Sequence, residues 1–124
     1  MTARLTIDFD NTIAAFRNFP DIGPPVEDIG IIRKYFKEIQ DMGFEIAIYT
    51  CRTSKEVFKH PIDRREQVRK IVEYMEKHEI PYDEILMNDK PVAQFYIDDS
   101  AIRYNGSWKN VTDEIKGRSS WITD

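Results

Sequence analysis

Short apolar runs along the chain alternate with longer segments in which apolar residues are spaced three or four positions apart. The runs RLTIDF (4–9) and FEIAIYT (44–50) are rich in strand-forming residues and predict two strands. The second run is apolar enough to be buried on both faces. EILM (84–87) and QFYID (94–98) predict two further short strands, and IRY (102–104) predicts a fifth. These runs therefore indicate a sheet of four or five short strands.

The segments between the strands show the periodicity of amphipathic helices. The first helix is predicted over 26–42, with one apolar stripe along it: Ile29, Ile32, Phe36 and Ile39. A second helix is predicted to begin at Pro61, because proline has no N–H to lose in the first turn, and to end near Glu79. Ser107 is a suitable N-cap for a last helix that runs through Lys116.

The order strand, helix, strand, helix, strand predicts a single α/β domain over residues 1–124. We expect a Rossmann-like, three-layer arrangement, with a mainly parallel sheet and helices on both faces. Residues 11–25 form a flap-like insertion, and 117–124 a tail without periodicity. Because a parallel crossover normally needs about 10 to 12 residues, the short segment 88–93 predicts a single turn of helix or a shortened strand.

Composition narrows the function classes. The formal net charge of −4 argues against a general nucleic-acid binder, which needs a basic surface. Cys51 is the only cysteine, so the chain cannot form an internal disulfide, and this fits a reducing compartment. No stretch approaches the roughly 20 apolar residues that cross a bilayer. Asp8 and Asp10 interrupt the apolar residues near the N-terminus, where a signal peptide would need them. We therefore expect a cytoplasmic protein without a membrane partner.

Charged and hydroxyl side chains directly follow the predicted strands. Ionised carboxylates in an apolar stretch cost several kcal/mol unless they are paired or bind a cation. In parallel α/β sheets, ligands bind outside the carboxyl ends of the strands. The groups expected at that edge are Asp8, Asp10, Thr50, Arg52, Lys90, Asp98 and Asp99. Several carboxylates in one site cannot all stay charged without a cation, and Mg²⁺ is the hard ion that accepts such oxygen ligands.

This set of side chains indicates phosphoryl transfer. A carboxylate can act as a nucleophile and form an acyl-phosphate intermediate. A second aspartate can protonate the leaving oxygen and later activate water. Thr50 and Lys90 would then hold the non-bridging oxygens of the phosphoryl group as negative charge spreads over them.

Four stretches resemble the ordered motifs of the haloacid dehalogenase (HAD) superfamily. IDFDNTI resembles the first motif, IAIYT the second, DKP the third and FYIDDSA the fourth. The resemblance implies an HAD-like core and the activity of a phosphatase with an aspartyl-phosphate intermediate. It implies that Asp8 is the nucleophile, that Asp10 is the general acid/base and that Thr50 binds the phosphoryl group. It also implies that Lys90 neutralises the phosphate and orients Asp8.

The resemblance further implies a Mg²⁺ site. Asp98 would ligate the ion together with Asp8 and the backbone carbonyl of Asp10, and Asp99 would be a second direct or water-mediated ligand. Asn11 stands where many members have glycine. We expect it to adopt left-handed backbone geometry, which Asn tolerates, and to lie beside the substrate.

The resemblance implies a minimal cap and an open site, because only the flap and one loop with a helix separate the motifs. The substrate is then a small phosphorylated molecule, such as a sugar phosphate or a nucleotide, or a bulky one that covers the site itself. Alternatively, a neighbouring subunit of a homo-oligomer acts as the lid. Flap and loop residues are the candidates for substrate contact: Phe16, Arg17, Phe19, Arg52, Lys55 and Lys59. For Arg52, a structural salt bridge is the alternative to substrate contact.

Two other function classes stay open at this point. The first is a phosphoacceptor domain of receiver type, although that fold carries its acceptor aspartate on the middle strand. The second is a domain that binds a phosphorylated ligand without catalysis, although the presence of both Asp8 and Asp10 counts against it.

Overall fold

Four parallel strands form one sheet in the computed structural model, which describes residues 3–87 and 93–118. The strand order is β3-β2-β1-β4, and every neighbouring pair is parallel. The elements are β1 (Ala3–Ile7), α1 (Ile29–Asp41), β2 (Phe44–Tyr49), a 3₁₀ turn (Cys51–Thr53), α2 (Pro61–Lys77), β3 (Glu84–Leu86), β4 (Phe95–Ile97) and α3 (Trp108–Gly117). The predicted α/β, Rossmann-like domain with a parallel sheet is confirmed.

The hydrophobic core lies on one face of the sheet. The register pairs Leu5 with Ile46 and Ile7 with Ile48, so these four side chains point to the same side. Ile32 of α1 and two residues of α2 pack into the same cluster, which comprises Leu5, Ile7, Phe9, Ile13, Ala14, Ile32, Ile46, Ile48, Ile71, Met75 and Ile80. Both of these helices therefore cover the face that carries the apolar side chains of the two central strands.

Polar side chains fix the beginnings of the helices. Asp28 accepts a hydrogen bond from the backbone N–H of Gly30 (2.9 Å) and caps α1, so the helix begins at Ile29 rather than at the predicted residue 26. Pro61 is the first residue of α2, as predicted. The Ser107 hydroxyl accepts from the backbone N–H of Asn110 (3.3 Å) and caps α3, also as predicted.

The sheet differs from the prediction in detail. Residues 102–104, predicted as a fifth strand, have no regular secondary structure. β1 ends at Ile7, because the Phe9 carbonyl accepts from the N–H groups of 12–14 and turns the chain away from the sheet. β3 and β4 are shortened to three residues each. The turn of helix expected in 88–93 lies outside the described residues, apart from residue 93, as does most of the predicted tail.

The predicted flap is attached to the core at both ends. Ala14 pairs with Pro25 in an antiparallel bridge, and the Ala15 N–H donates to the Pro24 carbonyl (2.6 Å). A Cβ on Gly23 would lie 2.1 Å from the Ala15 carbonyl oxygen, so only glycine fits there. Ile13 and Ala14 are fully buried, which anchors this segment to the hydrophobic core. In the described part of the chain, no helix has the length and apolar character needed to span a membrane.

Candidate active site

The strand order brings three sequence-predicted residues to one edge of the sheet. β1 lies between β2 and β4, and Asp8, Thr50 and Asp98 each follow one of these strands directly. They line a cleft of about 390 Å³, whose wall consists of Asp8, Tyr49, Thr50, Cys51, Ser54, Glu56, Asp98 and Ser100. Two of the predicted carboxylates, Asp8 and Asp98, and the Thr50 hydroxyl therefore face a common space, whereas Asp10 and Asp99 are not in this wall.

Asp8, Asp98 and Asp99 form what we call the acidic cluster. One carboxylate oxygen of each lies within 4.8 Å of those of the other two. Asp8 is partly buried, whereas Asp98 and Asp99 are exposed. Within 3–87 and 93–118, no lysine or arginine forms an ion pair with any of the three. Three convergent oxygen donors with solvent on one side fit Mg²⁺, which binds a few carboxylates and keeps several waters.

The pKa of Asp8 is raised by its surroundings. Burial, a side-chain hydrogen bond with Asp99 and the nearby charge of Asp98 raise the pKa of Asp8 to about 7. The backbone N–H of Phe9 donates to Asp8 Oδ1 (2.8 Å) and lowers the pKa of Asp8, but it does not offset the other effects. A divalent cation held by the cluster would favour the ionised form of Asp8.

Ser100 is a site residue that the sequence analysis did not identify. Its backbone N–H and its hydroxyl both donate to Asp98 Oδ1, at 2.8 and 3.0 Å. These bonds fix the carboxylate and leave its second oxygen free of them. An aspartate side chain often accepts a hydrogen bond from the backbone N–H two residues later. The order Asp98-Asp99-Ser100 could therefore have predicted this contact of Ser100 with Asp98.

Asp10 lies apart from the acidic cluster and is paired with Arg52. The Arg52 Nε–H donates to Asp10 Oδ2 (2.8 Å), and Nη2–H donates to Oδ1 (2.8 Å). The Arg52 side chain is fully buried, and the Asp10 side chain is 12% exposed. Both carboxylate oxygens of Asp10 thus accept from the guanidinium, and ligation of Mg²⁺ through its backbone carbonyl stays a prediction.

Arg52 is buried in the protein, away from the described wall of the cleft. Its guanidinium lies among protein acceptors and is not among the groups that line the cleft. The structure shows the salt bridge that was the alternative to substrate contact, and contact of Arg52 with substrate stays a prediction. The reason for the burial is local, because the 3₁₀ turn after β2 directs residue 52 inward while Cys51 stays exposed.

Thr50 and Asn11 are fixed by backbone geometry. Thr50 is buried at the cleft, and its Oγ1 accepts from the Arg52 N–H (3.2 Å), which leaves the hydroxyl proton free to donate. Asn11 has φ of 60°, so the predicted left-handed geometry is present. Its Oδ1 accepts from the Phe16 N–H (2.8 Å), which ties it to the flap. Substrate contact by Asn11 stays a prediction, and Lys90 lies outside the described residues.

Cys51 lines the cleft but is not suited to be a nucleophile. Burial, followed by the charges of Asp10 and Asp8, raises the pKa of its thiol above the ordinary value. The reactive form of cysteine is the thiolate, which this surrounding disfavours.

Comparison with known proteins supports the fold. No family model and no curated protein matches the chain. A crystal structure of a structural-genomics target from Vibrio cholerae is similar, with 25% sequence identity and a TM-score of 0.54. The likeness covers 94% of this chain and 98% of that one. The likeness therefore extends over nearly the whole domain.

Proposed function

We propose that this protein is a Mg²⁺-dependent phosphatase that hydrolyses a phosphomonoester through an aspartyl-phosphate on Asp8, as its resemblance to the HAD superfamily implies. The acidic cluster is the observation that carries the proposal. Three carboxylates without a cationic partner among the described residues meet at the carboxyl ends of two strands, beside a cleft that Thr50 also lines. Such a set favours binding of a divalent cation and, with it, of a phosphate.

The proposed first step transfers the phosphoryl group to the protein. An Asp8 carboxylate oxygen forms a bond to phosphorus while the bond from phosphorus to the leaving oxygen breaks. Asp10 enters this step protonated and gives its proton to that oxygen, which departs as an alcohol. Thr50 donates its hydroxyl proton to a non-bridging oxygen, and Lys90 is the predicted second partner.

The second step returns the protein to its first state. A water molecule loses a proton to Asp10 and attacks phosphorus, and the bond between phosphorus and Asp8 breaks to release inorganic phosphate. Bound Mg²⁺, held by Asp8, Asp98 and Asp99, would supply positive charge against the phosphoryl oxygens. The residues of this chain supply the nucleophile, the proton and the orientation.

The open cleft agrees with a minimal cap. Asp98, Asp99 and Ser100 are exposed, and the flap is a short segment rooted in the core. A small sugar phosphate or nucleotide, or a bulky phosphorylated molecule, therefore has direct access to Asp8. A screen of sugar phosphates, nucleotides and phosphorylated polynucleotide ends would identify the class, and gel filtration would show whether a homo-oligomer forms.

Turnover of p-nitrophenyl phosphate with Mg²⁺ tests the proposal. We expect hydrolysis by the wild type, and loss of turnover to background in Asp8→Asn because the nucleophile is removed. Asp41→Asn is the matched control, because Asp41 is an exposed aspartate that ends α1 on the opposite edge of the sheet; it should keep wild-type turnover. Mass spectrometry of acid-quenched protein should detect a phosphoryl adduct on Asp8.

Two results would overturn this function. Absence of hydrolysis of every phosphomonoester tried would favour a domain that only binds a phosphorylated ligand. Stoichiometric, long-lived phosphorylation without turnover would favour a phosphoacceptor domain of receiver type.

A further inference from the structure

Arg52 is a buried guanidinium in which every N–H has a protein acceptor. Nε and one N–H of Nη2 donate to Asp10, and the other N–H of Nη2 donates to the Asp21 carbonyl (2.6 Å). Nη1 donates to the Pro20 carbonyl (3.3 Å) and to Gln67 Oε1 (3.1 Å). One side chain thus joins the carboxylate of Asp10, two carbonyls of the flap and helix α2.

Aromatic contacts reinforce the same connection. The Arg52 guanidinium lies 4.7 Å from the ring centroid of Phe19, a flap residue, and 6.0 Å from that of Phe9. Phe19 in turn packs edge-on against Phe58, with 6.0 Å between centroids. The flap is therefore held over the guanidinium by stacking as well as by hydrogen bonds.

We infer that Arg52 is a positioning residue, which holds the Asp10 carboxylate in one orientation and makes that orientation depend on the flap. The inference rests on the proposed function, in which Asp10 gives its proton to the leaving oxygen. A carboxylate on a short side chain can rotate, but two parallel N–H···O bonds from a rigid fork fix both its position and its plane. The flap carbonyls and Gln67 fix the fork itself.

Arg64 shows what a buried arginine with a purely structural role looks like in this chain. It is 7% exposed, and its Nη1 donates to the carbonyls of Phe58 and Lys59 at 2.8 and 2.9 Å. Both of these acceptors are backbone carbonyls of the loop before α2, and neither is a carboxylate. Arg52, in contrast, directs one edge of its guanidinium at the side chain that is proposed to transfer the proton. Arg64 is therefore the matched control.

Two substrates that differ in their leaving group separate positioning from structure. p-Nitrophenolate departs without a proton, whereas an alkoxide from glycerol phosphate needs one. In Arg52→Lys, which keeps the charge but loses the fork, we expect kcat/KM for glycerol phosphate to fall by about 10²-fold, the effect of a misplaced acid. For p-nitrophenyl phosphate the fall in kcat/KM should be less than about tenfold, because kcat/KM reports the step in which the leaving group departs and not the later attack of water. Asp10→Asn should show the same selectivity.

Several variants make the test decisive. Arg64→Lys should lower the melting temperature without changing the ratio of the two kcat/KM values. Combining Arg52→Lys with Asp10→Asn should add little to the loss in Asp10→Asn alone, because both act on one proton transfer. Phe19→Leu removes the stacking from the flap side and should show the same selectivity to a smaller extent, so it serves if Arg52→Lys does not fold.

The outcomes distinguish this inference from the function on which it rests. If the wild type hydrolyses neither substrate, the proposed function is wrong and the role of Arg52 falls with it. If the wild type is active but Arg52→Lys, or Phe19→Leu in its place, loses kcat/KM equally for both substrates, the function stands and the positioning role is overturned. A selective loss for glycerol phosphate supports both.

Discussion

Asp10 lies two positions after Asp8 of the acidic cluster, but the negative charges of Asp10 and of the cluster are balanced in different ways. Asp10 is paired with a buried guanidinium that contacts both of its carboxylate oxygens. Asp8, Asp98 and Asp99 lie together without such a partner in the described part of the chain, and the pKa of Asp8 is raised to about 7. Within the described residues, the fold thus neutralises one carboxylate itself and pairs no lysine or arginine with the other three.

The ion pair and the acidic cluster affect the stability of the fold in different ways. A buried ion pair with complete hydrogen bonding is costly to break, because the remaining partner is left charged and desolvated. An unpaired acidic cluster destabilises the fold and is relieved by a bound cation or a proton. Substitutions in the two groups should therefore have opposite effects on the protein without metal.

The largest effect is expected from breaking the pair. Arg52→Met should lower the free energy of unfolding by about 3–5 kcal/mol, since it leaves Asp10 buried without a partner. Asp98→Asn, which removes one charge from the acidic cluster, should leave the stability of the metal-free protein unchanged or raise it. Urea denaturation measures both. Similar losses of unfolding free energy in the two variants would contradict the difference between Asp10 and the acidic cluster.

An intermediate effect is expected from Mg²⁺. At a concentration about 100 times its dissociation constant, the ion should stabilise the wild type by about 2.7 kcal/mol, because it binds the folded state only. Asp8→Asn and Asp98→Asn should lose this stabilisation, whereas Asp10→Asn should keep it because its side chain lies outside the acidic cluster. Thermal melts with and without Mg²⁺ measure it. Equal losses in Asp10→Asn and Asp98→Asn would contradict the separation.

The smallest effect is expected from pH, since solvent screens the partly exposed Asp8. The pKa of Asp8 is about 7 in the folded protein and 3.8 as its ordinary value. The folded state therefore binds the proton more tightly than the unfolded chain, and stability is lost as pH rises from about 4 to about 7. Asp8→Asn should lack this decline, as should the wild type with saturating Mg²⁺. Urea midpoints of the two proteins across that pH range measure the difference, and parallel profiles would contradict it.

The parallel sheet and the acidic cluster could be predicted from the sequence because both depend on short-range signals. The apolar runs around Leu5 and Ile46 carry their own strand preference, and parallel pairing then brings their carboxyl ends to one edge. Asp8 and Asp98 follow such runs directly, so their meeting needs only that β1 and β4 be neighbours. Ile102 and Tyr104 show the limit of this reasoning, since their strand preference is not realised without a pairing strand.

A salt bridge of Arg52 was one of two predictions, but its partner Asp10 could not be predicted, because the pair depends on packing between distant segments. The partners are separated by 42 positions in sequence. The 3₁₀ turn that follows β2 decides whether the side chain of residue 52 points into the interior or into the cleft. In this turn Arg52 is buried, whereas its neighbour Cys51 is exposed. The flap groups that complete the hydrogen bonding of Arg52 are backbone carbonyls. Every residue has one, so the sequence does not indicate which of them will be the acceptors.

The close approach of Gly23 to the Ala15 carbonyl holds the two ends of the flap together. The two backbones are tied together at Ala14 and Pro25, so the chain leaves the core and returns to it at nearly the same point. Extra residues inserted within 16–18, before the three residues that contact Arg52 (Phe19, Pro20 and Asp21), would extend outward from this point without displacing Ile13 or the strands beneath it. The fold therefore has a ready attachment point for a larger lid, at the place where this chain carries only a short loop.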